Sequence, residues 1–411
     1  MRALTWNGVN DLRVATMPDP EIVSQRDAII RVTMSSVCGS DLHLLGGYVP
    51  AMKPGDIIGH EFMGEVVETG REVRKLKKGD RAVAISILGC GQCEHCRRTD
   101  FSCCDNTNPK PLAAEELWGH SPAGIIGYSH MLGGWAGSHA NYIRVPFADV
   151  NVFPVPEGIP DEKALFVSDA CPTGFMGADL AGIEPGDVVA VWGCGPVGLF
   201  SVLSAFQFGA HRVIAIDGLP DRLERARLLG AETVNFNEED PIEAIKELTR
   251  GIGPDRAIDA VGVESEMPKQ GPAAQSVQGQ AQEFAQQVQT IASDAKPQGE
   301  QWKPGDAPML ASAWAVKSLA KAGTLGIIGV YPPSDMFFPI GAAMNKNLTI
   351  NMGNCNHRTY IPKLVEKVAA GTTDPTSVLS NVEPMSDAIE AYKQFDLRRP
   401  GWIKVELRPG R

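Results

Sequence analysis

Two residues in the N-terminal part of the chain are of types that bind a transition metal. Cys38 opens the run Cys-Gly-Ser-Asp-Leu-His, and His60 precedes Glu61. A catalytic zinc takes about three protein ligands, often thiolate and imidazole, and keeps one position open for substrate. Zinc there would polarise a carbonyl, or bind an alcohol and lower its pKa. Taken alone, such a cysteine or histidine is more often a packed core residue, so the interpretation depends on the rest of the chain.

A second group of potential ligands consists of cysteines alone. Cys90, Cys93, Cys96 and Cys104 have the spacing C-x2-C-x2-C-x7-C. Thiolates this close together can converge on one tetrahedral zinc, and four sulfurs leave no open position, so the site would be structural. An iron–sulfur cluster also uses four thiolates. Cys103 competes with its neighbour Cys104 as the fourth ligand, and the spacing leaves both alternatives open.

A glycine turn at residues 193–198 indicates a dinucleotide site. Its first glycine permits a tight turn, its second lets the backbone approach a pyrophosphate, and its third lets a helix pack closely on a strand. The helix N-terminus that follows offers unpaired N–H groups and a partial positive charge. Asp217 ends the next apolar run, where a carboxylate can bind the ribose hydroxyls. The turn consists of Gly193, Cys194, Gly195, Pro196, Val197 and Gly198.

These motifs resemble those of the zinc-dependent medium-chain dehydrogenase/reductase family, of the alcohol dehydrogenase type. They occur in family order: the Cys38 run, Gly-His-Glu at 59–61, the four-cysteine lobe at about 88–106, the glycine turn with Asp217, and Ile-Gly-Val at 328–330. The resemblance implies an α/β fold class, with a GroES-like β-rich catalytic domain and a Rossmann domain built on a doubly wound parallel sheet. It also implies two zinc ions per chain, one catalytic and one structural, and hydride transfer with NAD.

The resemblance assigns roles to individual residues. Cys38 and His60 would be ligands of the catalytic zinc, and Glu61 would lie beside the metal and could ligate it transiently. Ser40 resembles the hydroxyl that carries the substrate proton away, and His43 resembles the outer end of that relay, where an imidazole suits proton release. The cofactor residues implied are Gly193, Gly195, Pro196, Val197, Gly198, Asp217, Arg222 near the ribose, Ile328 and Val330 near the nicotinamide, and Lys404 near the pyrophosphate.

The third catalytic ligand departs from the commonest family pattern, which is a cysteine four residues before a Thr-Gly pair. Asp169 occupies that position here, and Cys171 lies only two residues before Thr173. A carboxylate is an acceptable zinc ligand. An aspartate at this position resembles the branch of glutathione-independent formaldehyde dehydrogenase and formaldehyde dismutase. We therefore predict Asp169 as the third ligand, with Cys171 as the alternative.

The elements that must position these residues change character along the chain. Residues 1 to about 155 alternate short β-like runs with Gly/Pro turns, and from about 160 strands alternate with helices. We predict a catalytic domain at 1–156 and 353–411 and a Rossmann domain at 157–352. Segment 264–307, rich in Gln, Ala and Pro, is predicted as an insertion with one amphipathic helix. We expect it to fold over the dinucleotide and slow its exchange.

Composition restricts the class of partner. The 411 residues suffice for two or three domains, and a net charge of −11 without a basic run argues against nucleic acid or an anionic membrane. No apolar run is long enough to span a bilayer, and the N-terminus lacks a signal-peptide core, so we expect a cytoplasmic location. The nine cysteines then favour metal over disulfides. A homo-oligomer, dimer or tetramer, is the family expectation.

The sequence therefore predicts a zinc-dependent, NAD-linked alcohol/aldehyde dehydrogenase that is formaldehyde-dehydrogenase-like. Asp217 followed by glycine favours NAD over NADP, although Arg222 could bind a 2′-phosphate. One alternative is an aldehyde dismutase that keeps NAD bound. A second alternative is a non-catalytic scaffold or sensor that binds zinc and dinucleotide. Segment 108–128 does not match the formaldehyde branch closely, and Trp118, His120 and His130 are pocket candidates for which surface or packing roles are the simpler interpretation.

Overall fold

The chain of this computed structural model divides into two units, each with its own sheet and core. The structure describes residues 1–291, 305–332 and 337–410. The first unit contains residues 1–172 and 355–410, and the second contains residues 173–291, 305–332 and 337–354. The chain thus leaves the first unit later than the boundary at 156 that the sequence suggested.

Short strands predominate before residue 160, and strands alternate with helices after it. The strands are β1 (Arg2–Gly8), β2 (Asp11–Thr16), β3 (Ala28–Ser36), β4 (Asp56–Ile57), β5 (Glu61–Thr69), β6 (Arg81–Ala84), β7 (Tyr142–Val145), β8 (Val152–Pro154), β9 (Val188–Trp192), β10 (Arg212–Asp217), β11 (Glu232–Asn235), β12 (Arg256–Asp259), β13 (Thr324–Ile327), β14 (Thr349–Met352), β15 (Asn381–Pro384) and β16 (Val405–Arg408). The helices are α1 (Gly39–Leu45), α2 (Glu94–Arg97), α3 (Leu112–Trp118), α4 (Ala148–Asn151), α5 (Asp161–Leu165), α6 (Ala170–Leu180), α7 (Pro196–Gln207), α8 (Pro220–Leu228), α9 (Pro241–Leu248), α10 (Gly271–Val277), α11 (Ala281–Ile291), α12 (Leu310–Ser318), α13 (Ile340–Asn345), α14 (His357–Ala369) and α15 (Ala388–Asp396). Within the described residues, no helix has the length and apolar character needed to cross a membrane.

The first unit is built on a largely antiparallel sheet with the order β15-β16-β3-β5-β6-β8, and β7 pairs with β3. Apolar side chains on one face of β3 and β5, among them Val32, Phe62 and Val66, form its core. The register of these two strands places Ser36 opposite Glu61. That pairing brings the residues just after β3 beside those just before β5, so Cys38 and His60 become neighbours.

Helix α5 explains why the first unit extends beyond residue 156. It packs against β3 and β5, and its apolar residues Ala164 and Leu165 are buried. The chain returns to this unit at its C-terminal end, where β16 pairs antiparallel with β3. The unit therefore combines the start and the end of the chain, as predicted from the sequence.

The second unit is a parallel sheet with the order β11-β10-β9-β12-β13-β14. Strands β9 and β10 are buried almost throughout, as expected for parallel strands covered on both faces. The order reverses between β9 and β12, and ligands bind at the carboxyl ends of strands at such a point. The predicted doubly wound sheet is confirmed.

The insertion after β12 is part of the core of the second unit. The N–H of Met267 donates to Asp306 Oδ1 at 2.6 Å, which joins its two ends. Val277 and Phe284 pack into the same core as Ile242. The expected single helix is instead two helices, α10 and α11, joined by a short 3₁₀ turn. Residues 292–304 of the predicted insertion lie outside the described residues.

Candidate active site

Four buried side chains in the first unit form a group that fits one metal ion. The donor atoms of Cys38, His60, Glu61 and Asp169 all lie within 4.8 Å of one another. Asp169 Oδ2 is 4.0 Å from Cys38 Sγ and 3.8 Å from His60 Nε2. Tetrahedral zinc with ordinary bond lengths would hold such donors about 3.3–3.5 Å apart. The group is therefore near the size of a zinc site, and the structure brings together the ligands predicted from the sequence.

Local structure sets the direction of the first two ligands. Cys38 is the N-cap of α1, and Asp41 in the first turn accepts a hydrogen bond from its N–H at 3.0 Å. The other oxygen of Asp41 lies 3.1 Å from His60 Nδ1. A carboxylate at one ring nitrogen orients the other nitrogen toward a metal. Asp41 thus acts on both ligands, a role that the sequence interpretation had not assigned.

The electrostatics of the group favour a carboxylate as the third ligand. Burial would raise the pKa of Asp169, but His357, His60 and Ser86 outweigh it and hold that pKa well below its usual range. Burial, followed by Cys355, raises the pKa of the Cys171 thiol to about 12. Cys171 is not part of the donor group. The geometry therefore favours Asp169 over Cys171.

Glu61, the fourth member of the donor group, forms a fully buried ion pair with Lys404. Lys404 Nζ donates to Glu61 Oε2 at 2.5 Å and to the carbonyl of Val37 at 2.9 Å. Glu61 Oε1 is buried and has no hydrogen-bond partner among the described residues. An orphaned oxygen within the donor group suits a transient metal ligand. The structure gives Lys404 a partner different from the predicted pyrophosphate, because its ammonium is fully buried against Glu61.

The two predicted relay residues lie one turn apart on α1. Ser40 Oγ is 3.7 Å from Cys38 Sγ, so its hydroxyl adjoins the donor group. His43 is largely buried, and its ring makes an edge contact with Tyr48 at 6.1 Å between centroids. Residues three apart on a helix share a face, so Ser40 and His43 lie on the same side of α1.

The four predicted cysteines form the second donor group. Cys90 and Cys96 sulfurs are 3.9 Å apart, as are those of Cys93 and Cys104. Tetrahedral zinc–thiolate geometry requires about 3.8 Å. A cluster of several irons would spread its ligands further apart, so the group fits a single ion. Cys103 is exposed and Cys104 is buried in the group, which favours Cys104 as the fourth ligand.

Backbone N–H groups donate hydrogen bonds to sulfurs of this second group. The amides of Gln92 and Cys93 both donate to Cys90 Sγ at 3.3 Å. Burial would raise the pKa of Cys90, but these two bonds, together with hydrogen bonds that involve Cys104 and Asn106, lower it to about 7. The N–H of Cys90 in turn donates to Cys104 Sγ at 3.2 Å. The loop therefore stabilises a negative sulfur at Cys90, whereas burial raises the pKa of Cys96 and raises that of Cys104 to about 11.

The glycine turn of the second unit has the geometry of a pyrophosphate site. Gly193 has φ of +87°, which favours glycine. A Cβ on Gly198 would lie 1.8 Å from the carbonyl oxygen of Gly193, so a side chain there cannot be accommodated. Gly195 is the N-cap of α7, Pro196 occupies the first turn, and Val197 follows it. The free N–H groups of this helix start can receive an anion.

Asp217 lies next to the glycine turn at the end of β10. Its Oδ2 accepts the N–H of Cys194 at 2.7 Å, and its Oδ1 accepts the N–H of Leu219 at 2.9 Å. Arg222 Nη1 is 4.0 Å from Oδ2. The carboxylate is thus held at the position expected for a ribose ligand, with Arg222 beside it.

Two loops meet at the carboxyl ends of β12 and β13, on the same edge of the sheet as the glycine turn. Ile328 and Val330 follow β13, and the Val263 amide donates to the carbonyl of Val330 at 3.0 Å. Asp259 Oδ2 accepts hydrogen bonds from Ser312 at 2.5 Å and from Tyr331 at 2.7 Å. These bonds hold the segment predicted to lie near the nicotinamide.

The insertion adjoins the Asp217 side of the dinucleotide site. The Lys269 amide donates to Asn237 Oδ1 at 2.8 Å, and Asn237 Nδ2 donates to the carbonyl of Gly218 at 3.2 Å. Gly218 directly follows Asp217. The first part of the insertion is therefore linked to the loop that carries the predicted ribose ligand.

Of the three pocket candidates, His120 and His130 have ordinary structural surroundings, whereas Trp118 Nε1 is buried with no hydrogen-bond partner among the described residues. His130 Nε2 lies 3.0 Å from Asp56 Oδ1, and His120 is exposed, with Nδ1 3.1 Å from the carbonyl of Trp118. Neither His357 nor Ser86 was assigned a role from the sequence, yet both contact Asp169. No local signal could have found His357, because it reaches Asp169 only through the C-terminal return of the chain.

A buried histidine near the donor group gives the first testable prediction. His139 Nδ1 lies 2.8 Å from Ser35 Oγ, and its Nε2 lies 2.9 Å from the hydroxyl of Tyr392. Burial lowers the pKa of His139 to about 4, whereas an unfolded histidine titrates near 6.5. The unfolded state binds the proton first, so stability should fall as pH drops from about 6.5 to about 4.

We expect this histidine to contribute on the order of 3 kcal/mol to that loss. The His139→Gln variant cannot take up a proton at this position, so its free energy of unfolding should fall less steeply. Urea unfolding at several pH values measures both slopes. Equal slopes for the wild type and the variant would contradict the prediction.

Comparisons with known proteins agree with this architecture. The family models for the alcohol dehydrogenase GroES-like domain and the zinc-binding dehydrogenase match residues 24–157 and 196–274. The uncharacterized zinc-type alcohol dehydrogenase-like protein AdhB of Bacillus subtilis (strain 168) is 39% identical, with 100% of both chains covered. The glutathione-independent formaldehyde dehydrogenase of that organism is 32% identical over 96% of this chain and 94% of its own. The structure of alcohol dehydrogenase TADH from Thermus sp. ATN1 covers 100% of both chains with a TM-score of 0.80 and 30% identity.

The fold and the two donor groups define a zinc-dependent oxidoreductase with a dinucleotide-binding unit. The chain belongs to the zinc-dependent medium-chain dehydrogenase/reductase family, of the alcohol dehydrogenase type. Membership implies zinc and a nicotinamide cofactor, and the predicted family and fold class are confirmed. The zinc-type relative AdhB is more similar to this chain than the formaldehyde dehydrogenase is. The formaldehyde branch therefore stays a prediction.

Proposed function

We propose that the protein is an NAD-dependent dehydrogenase that interconverts an alcohol with an aldehyde or ketone, with formaldehyde-dehydrogenase-like chemistry and two zinc ions per chain. The buried donor group of Cys38, His60 and Asp169 carries the proposal. A thiolate, a carboxylate and a neutral imidazole together balance the charge of Zn²⁺. Zinc bound there would act as a Lewis acid toward the substrate oxygen, and NAD would accept the hydride.

Residues of α1 handle the proton in this proposal. Ser40 Oγ, next to Cys38 Sγ, accepts the proton of the substrate hydroxyl. His43, one turn further along α1, takes it from Ser40 and releases it. Glu61, held by Lys404, already belongs to the four donors that lie within 4.8 Å of one another, so its carboxylate would be available to zinc as a transient ligand.

The surroundings of Asp217 support NAD as the cofactor. Its carboxylate would repel a 2′-phosphate, and Arg222 already lies 4.0 Å from it. The test is a panel of formaldehyde, longer aldehydes and secondary alcohols, each assayed with NAD and with NADP. We expect turnover of short substrates with NAD. Preference for NADP, or no turnover with any member, would refute the proposal.

The alternative is an aldehyde dismutase that keeps its NAD. The contact between Lys269 and Asn237 favours slow cofactor exchange, because it ties the insertion to the loop after Asp217. Retention of NAD through purification, and aldehyde turnover without added cofactor, would distinguish the dismutase from the dehydrogenase. Deleting the insertion is a poor test, since Val277 and Phe284 belong to the core.

A point variant tests the insertion more sharply. Asn237→Ala removes both hydrogen bonds. If this lowers the free energy that holds the insertion over NAD by about 1–1.5 kcal/mol, NAD should dissociate roughly tenfold faster. Stopped-flow displacement of bound NAD measures this rate. Asn345→Ala is the control, since Asn345 bonds only within α13 in the described structure. An unchanged rate of NAD dissociation in Asn237→Ala would contradict the hypothesis that the insertion slows cofactor exchange.

The remaining predicted properties are proposals as well. A non-catalytic scaffold would bind one zinc per chain and tolerate Cys38→Ser, so two zinc ions would argue against it.

A homo-oligomer is supported by β14, an edge strand in the described sheet, and by the exposed Ile340, Met344 and Met352. A small-molecule alcohol or aldehyde as the only partner besides a second copy, and a cytoplasmic location, stay predictions.

A further inference from the structure

One oxygen of Asp169 is held by two side chains that are not candidate zinc ligands. Ser86 Oγ lies 2.5 Å from Oδ1, and His357 Nε2 lies 2.8 Å from the same atom. The two donors are themselves 3.4 Å apart, so they approach Oδ1 from neighbouring directions. All three residues are buried.

The second oxygen of Asp169 faces the donor group. Oδ2 lies 4.0 Å from Cys38 Sγ and 3.8 Å from His60 Nε2. A carboxylate oxygen offers about two lone-pair sites, and Ser86 and His357 fill those of Oδ1. A metal in the donor group can therefore bind Asp169 through Oδ2 alone.

We propose that His357 and Ser86 are positioning residues that keep Asp169 a monodentate ligand of the catalytic zinc. This inference rests on the proposed function, which places zinc in that group. A carboxylate bound through both oxygens would fill two coordination positions, whereas a catalytic zinc needs one position open. One oxygen from Asp169, with Cys38 and His60, supplies three donors and leaves the fourth position for the substrate.

The position of His357 is fixed by its neighbours in sequence. It is the first residue of α14. Asn356 Nδ2 donates to the carbonyl of Thr99 at 2.6 Å. Arg358 donates to the carbonyl of Val150 and lies over the ring of Phe101, 5.3 Å from its centroid. These contacts of both neighbours hold the start of α14 in the position from which the imidazole of His357 reaches Asp169.

Cobalt substitution tests the proposal without relying on catalysis. The wild type should bind two Co²⁺ per chain, one in each donor group. In His357→Leu, the affinity of the Cys38–His60–Asp169 group should fall about 10–100-fold, the usual cost of losing an outer-shell partner. The d–d absorption of that group should also weaken, because Asp169 then binds through both oxygens and the coordination number rises.

Two further variants separate positioning from loss of folding. His357→Gln places an amide N–H near the position of the imidazole Nε2 and should restore most of the affinity and the spectrum. Ser86→Ala should shift both in the same direction as His357→Leu, by a smaller amount. The control is His211→Leu, which removes an exposed histidine of the second unit. Metal kept by the four cysteines reports that the first unit is folded.

The outcomes distinguish the inference from the proposed function. One metal per chain in the wild type would refute the proposed function itself. Two metals in the wild type, with unchanged affinity and spectrum in His357→Leu, would overturn the positioning role alone. If His357→Leu loses both metals because it unfolds, the test of the positioning role passes to His357→Gln and Ser86→Ala. The positioning role would then be overturned if Ser86→Ala had the metal affinity and spectrum of the wild type and His357→Gln did not restore them.

Discussion

Replacing Asp169 with alanine should remove one zinc ion from each chain and leave the other in place. The variant keeps the four cysteines but loses the carboxylate that joins Cys38 and His60 in the donor group. Losing an outer-shell partner costs about 10–100-fold in metal affinity or activity, so the loss of a direct ligand should exceed that range. Zinc analysis of the purified protein and the rate of hydride transfer measure the two effects.

Two matched variants make this experiment specific. Cys171→Ser should keep both zinc ions, because its thiol lies outside the donor group. Cys103→Ser should also keep both, since Cys104 completes the cysteine group. If Cys171→Ser lost the catalytic zinc while Asp169→Ala kept it, the assignment of the third ligand would be reversed.

Replacing Lys404 with methionine should cost about 3–5 kcal/mol of folding stability, the usual effect of leaving one partner of a buried ion pair alone. Lys404 is fully buried, and its ammonium neutralises Glu61. Burial, the largest influence, raises the pKa of Glu61 even with Lys404 present. Without Lys404 the carboxyl would favour its neutral form still more, so the loss of stability should be larger at pH 8 than at pH 5.5.

Urea unfolding measures this loss, and a second substitution checks its cause. The double variant Glu61→Gln/Lys404→Met removes both charges and should recover much of the stability. Lys393→Met is the control, because Lys393 is exposed on α15. If Lys404→Met instead unfolded at the wild-type midpoint and weakened NAD binding, Lys404 would be the pyrophosphate ligand that the sequence suggested.

The two assignments of Lys404, as a pyrophosphate ligand from the sequence and as the partner of Glu61 in the structure, show a limit of sequence reasoning. Lys404 was matched to a basic position near the cofactor, but its side chain is placed by the pairing of β16 with β3. That pairing joins the two ends of the chain. A pattern within a few residues of Lys404 carries no information about Glu61, which lies far away in sequence.

The insertion shows the same limit at smaller scale. Helical spacing of its apolar residues predicted one helix, and the structure has α10 and α11 joined by a short turn. Phe284 in α11 is buried, whereas Ala281 in the same helix is exposed. Periodicity identifies an apolar face, but packing against the rest of the unit decides which of its residues are covered.

The sequence by itself determined the features that depend on short-range chemistry. The glycines at 193, 195 and 198 followed by Asp217, and the three cysteines spaced three residues apart with a fourth eight residues further on, work through local backbone geometry, so their spacing predicts the class of protein. The position of Asp169 four residues before Thr-Gly already favoured it over Cys171, and the geometry of the donor group agrees. Only the tertiary structure paired Lys404 with Glu61 and brought His357 and Ser86 to one oxygen of Asp169. The physical reason is that these contacts join segments far apart in the chain, and the distances that decide them exist only after folding.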